Sequence, residues 1–266
     1  MPELPEVETI RRQLQRSVLG KKIIEATVKK PKIIKEPSVN SFKKGIKGST
    51  IKKIIRRAKI LIFELSSKKS LVVHLRMTGQ LIYPGDGKKS RVTFKLSNRK
   101  LLDYNDRRML GELRLLDDWR NLKFIKQLGP EPYDLTKEEF SKMLSEKKTK
   151  IKPLLLDQTF ISGVGNIYAA EALFKSKIHP LRPAASLTPK EKKELFINIK
   201  HILDDAIKHK GSSVDQYLTA SGEKGSYSDH HKVYDRQGET CFTCKSTIKR
   251  IALGGRGTYF CGRCQR

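Results

Sequence analysis

Four cysteines constrain this chain more than any other feature. All of them fall within the last 26 residues, as Cys241, Cys244, Cys261 and Cys264. The pattern is C-x2-C, sixteen residues, C-x2-C. The start, MPELPEVE, is acidic where an export signal is basic, and no apolar run follows it. The expected compartment is therefore a reducing one, the cytoplasm, where disulfides would be opened. Four thiolates paired in this way match the ligand spacing of a tetrahedral zinc site. The expectation is one structural zinc ion at the end of the chain. Between the two pairs, KSTIKRIALGGRGTYF suits a β-hairpin with glycines at its turn. A segment this short has no core of its own, so the metal must supply its folding energy.

The remaining chain is long enough for one large domain or two ordinary ones, at 266 residues. Lys and Arg number 56 against 28 Asp and Glu, a formal net charge of +28. Such an excess on a folded chain points to a polyanionic partner, nucleic acid first and an anionic membrane surface second. The plainer alternative is a solubilising lysine coat. A membrane-spanning protein is not expected, because no stretch approaches the roughly 20 apolar residues of a spanning helix.

Periodicity divides the chain in two. Val7, Ile10, Leu14 and Val18 recur at helical spacing behind Pro5, and Gly20 stands where a helix would stop. Short apolar runs follow at 59–65, 70–76, 91–96, 100–104 and 112–116, spaced as strands of a sandwich or barrel. The stretch 128–135, LGPEPYDL, reads as a linker. Helical patterns then occupy 137–146, 151–158, 166–176 and about 189–208, the last capped by Ser186 or Thr188.

Several residues have a chemistry available to them. If the initiator Met1 is removed, Pro2 carries a free secondary amine, and α-amino groups titrate near pKa 7.7–8.0 against about 10.4 for lysine. Such an amine attacks electrophilic carbon and forms a Schiff base, and Glu3 beside it could move protons. The alternative is that Pro2 and Glu3 only begin a helix. Gly163-Val164-Gly165-Asn166 feeds a helix N-terminus, a ready phosphate site or a plain turn between helices. It fits neither a Walker A loop nor a dinucleotide fingerprint. Arg256, among three glycines in the hairpin, suits a phosphate or a loosely held surface position. Lys59 heads an apolar strand, where a lysine is usually solvated. Met77, in HLRMTG, is a core filler or an apolar wedge for base stacks, and DRRMLG at 106–111 offers another arginine–apolar pair.

Taken together these pieces resemble the bacterial formamidopyrimidine-DNA glycosylase and endonuclease VIII family. The resemblance rests on MPELPEVET, the Lys59 strand, HLRMTG at 74–79, LLLDQ…GVGNIYAAEALF at 154–174, and GGRGTYFC at 254–261 within the four-cysteine finger. The PELPEVET start is that of the formamidopyrimidine branch. The resemblance implies an α+β fold: an N-terminal helix and β-sandwich catalytic domain over 1–130, a helical helix-two-turn-helix DNA-binding domain over 131–238, and a zinc finger over 239–266. It implies base-excision repair of damaged double-stranded DNA by a bifunctional glycosylase and abasic-site lyase. Oxidised bases such as 8-oxoguanine and formamidopyrimidines would leave through a Schiff base to Pro2. The implied form is a bacterial, nucleoid-associated monomer. Pro2 would be the nucleophile, Glu3 a proton donor, Lys59 a second donor and phosphate contact, and Arg256 the residue of the second elimination. Asn166, Lys147 and Lys152 would hold backbone phosphate. Met77, Arg108 and Leu110 would fill the gap left by an extruded base, since a base inside the stack is out of reach.

Three positions depart from the family pattern. Leu110 stands where Phe is common, Lys89 where a DNA-contacting His is frequent, and Asp215 where the damaged-base loop usually carries a basic residue. An aspartate there alters base choice or DNA affinity. The alternatives are a member with shifted lesion choice (oxidised pyrimidines or alkylated bases) and a non-catalytic DNA-binding relative. A zinc-ribbon RNA-binding protein explains the charge and finger but not PELPEVET.

Overall fold

The computed structural model describes residues 1–266. They form two compact units, Met1–Lys126 with Ile207–Ser228, and Gln127–Ala206 with Asp229–Arg266.

The first unit opens with helix α1 (Leu4–Val18). Glu3 is its N-cap, and the Glu3 N–H donates to Glu6 Oε2 at 2.7 Å in a capping box. Val7, Ile10, Leu14 and Val18 form its buried face. Gly20, at φ +76, supplies the left-handed residue that ends it. Next come β1 (Ile23–Val28), β2 (Ile34–Glu36), α2 (Val39–Ile46), β3 (Ile51–Arg57), β4 (Ile60–Leu65), β5 (Ser70–His74), β6 (Gly79–Gly85), β7 (Val92–Leu96), β8 (Leu101–Asp106), β9 (Glu112–Leu116) and the short α3 (Lys123–Lys126).

These strands make a sandwich. One sheet has the order β1-β7-β8-β6 and the other β2-β9-β5-β4-β3, with β2 and β9 parallel. Apolar side chains from both sheets, including Phe63, Val73, Phe94 and Tyr104, meet in one core with the buried face of α1. Helix α1 lies along β3 and β4. Strand β4 is buried along nearly its whole length rather than on alternate residues, with Leu61, Phe63 and Leu65 in this core and Ile60 and Ile62 buried outside it.

Ile207–Ser228 departs from the expected helical domain, because it belongs with the sandwich. Tyr217 and Ala220 enter the sandwich core. Tyr83 N–H donates to Ala220 O at 2.7 Å, and Ala220 N–H to Gln13 Oε1 at 2.7 Å. The burial of Tyr217 and Ala220 in this core thus outweighs the segment's position in the chain.

The second unit is helical: α4 (Lys137–Ser145), α5 (Ile151–Leu156), α6 (Asn166–Lys175) and α7 (Pro189–Lys208), then the hairpin β10 (Lys249–Leu253) and β11 (Arg256–Phe260). Thr188 caps α7, accepting from the Glu191 N–H at 3.3 Å. The hairpin turn is Gly254-Gly255 at φ +57 and +70, the left-handed pair that matches strand twist. No helix is long and apolar enough to cross a membrane.

Candidate active site and nucleic-acid interface

In the first unit Pro2 and Glu3 are buried at the head of α1, and Glu3 is 3% exposed. The N-cap place of Glu3 is fixed by Glu6, whose Oε1 also accepts from the Ser212 N–H at 2.8 Å. Gly211 admits that approach, since a Cβ there would lie 2.7 Å from Glu6 Oε1. Lys59 is not the solvated strand end it resembles in sequence. It lies in the two-residue turn between Arg57 and Ile60 and is 7% exposed.

His74, which the sequence reading did not single out as a site, pairs across the sheet with Ile60, the residue after Lys59. Its Nδ1 accepts from the Arg76 N–H at 3.1 Å, so the neutral ring carries its proton on Nε2. Burial, and then the neighbouring charge of Arg76, push its pKa down to about 3. The folded ring therefore stays a neutral donor across the working pH range. The unfolded ring titrates near 6.5. Between pH 6.5 and 3 the unfolded chain binds a proton that the folded one does not, so stability falls as pH is lowered through that window. Thermal unfolding at pH 5 should show a loss of about 1–2 kcal/mol from this group relative to pH 7.5. His74→Asn, which keeps an acceptor, should flatten that part of the profile.

Met77, Arg108 and Leu110 lie on two neighbouring loops of the same unit. Thr78 Oγ1 donates to Asp106 Oδ1. Arg108 N–H donates to Thr78 Oγ1 at 3.0 Å and Gly111 N–H to Asp106 Oδ2 at 2.7 Å. This lattice locks the loops together. Gly111 is required, because a Cβ there would meet Tyr104 Oη at 1.7 Å. Arg108 is exposed and Leu110 is 44% exposed, while Met77 is half-buried. An apolar leucine held in solvent by its loop suits insertion better than core filling. Beside these loops a recess of about 910 Å3 is lined by Thr78, Gln80, Lys89, Asn105, Gln216 and Leu218, among others. Asn105 Oδ1 is a buried acceptor with no hydrogen-bond partner. Lys89 and Asp215 are exposed.

In the second unit the structure changes the reading of one residue. Lys152 was expected to grip phosphate, yet it is 1% exposed. Its Nζ donates to Asn166 Oδ1 (2.7 Å), Thr258 Oγ1 (2.7 Å) and Gly257 O (3.2 Å). An ammonium has three protons, and all three serve the protein. Asn166 Nδ2 also donates to Gly257 O at 3.1 Å. Lys152 and Asn166 therefore pin the base of β11 and leave Arg256, one residue before, exposed. Lys147 is exposed after α4. The loop before α6 is clamped by Gln158, which accepts from Gly163 N–H and donates to Val164 O. Glu171, another residue the sequence did not disclose, accepts from the N–H groups of Lys232, Val233 and Tyr234 at 2.8–3.0 Å. It fixes the segment that leads into the finger.

The four cysteine Sγ atoms all lie within 4.8 Å of one another. Cys241 and Cys264 are 3.9 Å apart, and Cys244 and Cys261 3.4 Å. A zinc–sulfur bond of about 2.3 Å gives a tetrahedron edge of about 3.8 Å, so the set fits one zinc ion. Four thiolates leave no open position for water. The finger is tied to the helical unit by Gln265 Nε2 donating to Ile178 O and by Arg266 N–H donating to Lys177 O.

Three family models match the chain. Residues 1–113 match the formamidopyrimidine-DNA glycosylase N-terminal domain, 128–217 the formamidopyrimidine-DNA glycosylase H2TH domain, and 238–266 the zinc finger found in FPG and IleRS. The chain is 42% identical to a formamidopyrimidine-DNA glycosylase of Pelotomaculum thermopropionicum, over all of this chain and 99% of that one. It is 43% identical to that of Lactiplantibacillus plantarum, over the full length of both. Among solved structures it resembles Lactococcus lactis Fpg in complex with abasic-site DNA, with a TM-score of 0.91 and 37% identity over the whole of both chains. It also resembles the MutM (FPG) protein of Thermus thermophilus, with a TM-score of 0.89 and 36% identity over 99% of this chain and 98% of that one.

Proposed function

The chain belongs to the formamidopyrimidine-DNA glycosylase family, base-excision repair enzymes, and from that premise we propose that it excises oxidised purines from duplex DNA and cuts the strand through a Schiff base to Pro2. The observation that carries this reading is the Pro2–Glu3 pair, buried at the head of α1 in a chain whose whole length matches the family.

The Pro2 nitrogen attacks sugar C1′ and the glycosidic bond breaks. Its electron pair leaves with the base, which takes a proton from Glu3 or Lys59. The Pro2 nitrogen loses its proton and its lone pair then opens the sugar ring. The C1′–O4′ bond breaks, O4′ takes a proton from Glu3, and the iminium so formed acidifies the neighbouring C2′ hydrogen, whose loss expels the 3′ phosphate. Arg256 binds phosphate beside the lesion and serves the second elimination. Met77, Arg108 and Leu110 occupy the vacated stack, whose opening costs a few kcal/mol. The recess beside them has the size and the polar lining to take a base. Zinc takes no part in these steps. The enzyme acts as a monomer on chromosomal DNA in the cytoplasm.

Incubation with duplexes bearing 8-oxoguanine, a formamidopyrimidine or thymine glycol tests the reading, with strand cleavage read on a gel. The two purine lesions should be cut at least tenfold faster than thymine glycol. Glu3→Gln should lose base excision by about 100-fold or more, the scale of general acid catalysis, and still cut pre-formed abasic sites. Faster cleavage of thymine glycol transfers the lesion assignment to pyrimidines. No cleavage of any duplex leaves a DNA-binding relative.

A further inference from the structure

We propose that Glu8 and Arg56 are positioning residues that hold Lys59 in its reactive place and couple it to the helix that begins at the nucleophile. The proposal rests on the reading of Lys59 as a proton donor.

Lys59 shares its two-residue turn with Ala58. Ala58 has φ +51, a left-handed conformation that costs a non-glycine residue about 1–2 kcal/mol. It is 1% exposed, so the turn is enclosed rather than free in solvent. A glycine would take this conformation without strain. The chain instead uses an alanine and a clamp. Arg56 Nη1 donates to Ala58 O at 3.1 Å. That carbonyl belongs to the peptide plane joining Ala58 to Lys59, so the bond fixes the direction in which the chain enters Lys59. Arg56 Nε donates in turn to Glu8 Oε2 at 3.2 Å, and both side chains are about one-tenth exposed. Burial alone would raise the Glu8 carboxyl. Hydrogen bonds from Arg11 and Arg12 and the charge of Arg56 bring it down to about 2, so it stays an anion.

The three arginines on Glu8 are not equivalent. Arg11 and Arg12 lie on α1 itself, at the helical i+3 and i+4 spacings. Such pairs support a helix by tenths of a kcal/mol. Arg56 alone of the three is on β3, so its pair with Glu8 ties α1 to the hairpin of Lys59. Helix α1 starts just after Pro2 and Glu3, and Glu8 is little more than one turn further on. A shift of Arg56 therefore changes the place of Lys59 relative to the N-terminus, and a 1 Å misplacement can cost about 100-fold in rate.

The test is a double-mutant cycle under single-turnover conditions, on the lesion duplex the wild-type chain cuts fastest. Arg56→Met removes both hydrogen bonds, and Arg56→Lys keeps the charge but cannot reach both partners from one nitrogen. Glu8→Gln is the second entry to the same link if Arg56→Met folds poorly. Base excision should fall 10- to 100-fold in Arg56→Met and Arg56→Lys, with duplex affinity changed less than threefold. In the Lys59→Ala background the same substitutions should cost less than twofold. A purely structural pair would give equal losses in both backgrounds, and that additivity overturns the proposal while leaving the role of Lys59 intact. If Lys59→Ala is itself silent, the assignment of Lys59 falls and the proposal with it.

Discussion

Borohydride added to the protein and a lesion-bearing duplex is expected to leave the two covalently joined, and Pro2→Gly should lower the yield about 100-fold. The expectation follows from the amine. At pH 7 an α-amino group near pKa 7.7–8.0 is about one-tenth unprotonated, whereas a lysine near 10.4 is so to about 0.04%, a roughly 300-fold difference in nucleophile. Pro2 is also buried beside the enclosed carboxyl of Glu3, so the iminium would form away from bulk water. Glycine keeps an amine but loses the secondary, ring-held nitrogen of proline. A form that retains Met1 has no free nitrogen at Pro2 and should not trap at all. Undiminished trapping by that form would remove Pro2 from the mechanism and transfer the Schiff base to a lysine.

The legible part of the fold is its interior. The apolar runs read as strands became β4, β5, β7, β8 and β9, and every one of these is an inner strand. The strands not read, β1, β2, β3 and β6, are the four sheet edges. An edge strand carries charge or proline, which keeps it from pairing with another chain and also erases its apolar signal. Lys52, Lys53, Arg56 and Arg57 do this in β3 and Pro84 in β6. The site divides in the same way. Pro2, Glu3 and the cysteines announce themselves through a local pattern of residue types. Glu8, His74 and Glu171 do not, because each acts through a partner distant in the chain: Arg56, the turn of Lys59, and the backbone at 232–234. The enclosure of Lys152 is hidden for a related reason. A lysine in a chain of charge +28 reads as a surface group, and nothing local reveals the three acceptors that enclose it.

Chelation of the zinc separates folding from catalysis in the finger. Binding by four thiolates contributes about 10–16 kcal/mol to small zinc modules. The buried apolar residues of the finger are small in number, with Cys241, Ile248 and Cys261 packed against Ala170 and Val233, and Phe260 edge-on to His179. Removal of zinc, or Cys244→Ser, should therefore abolish hydrogen-exchange protection from Thr240 to Arg266. The loss should extend to α5 around Lys152. Once Gly257 O and Thr258 Oγ1 withdraw, the buried ammonium loses two of its hydrogen-bond acceptors. Each hydrogen bond lost to a charged group costs about 1.5–3 kcal/mol. The strands β3 to β5 should keep full protection, because their core is the sandwich. DNA affinity and strand cleavage should fall together, because Arg256 loses the hairpin that presents it. Arg256→Ala with zinc retained should reproduce most of that functional loss, with normal metal content and unchanged exchange across the finger. The two variants should thus agree in activity and differ in structure. Full activity in the zinc-free chain, or a silent Arg256→Ala, would reduce the hairpin to a folding element.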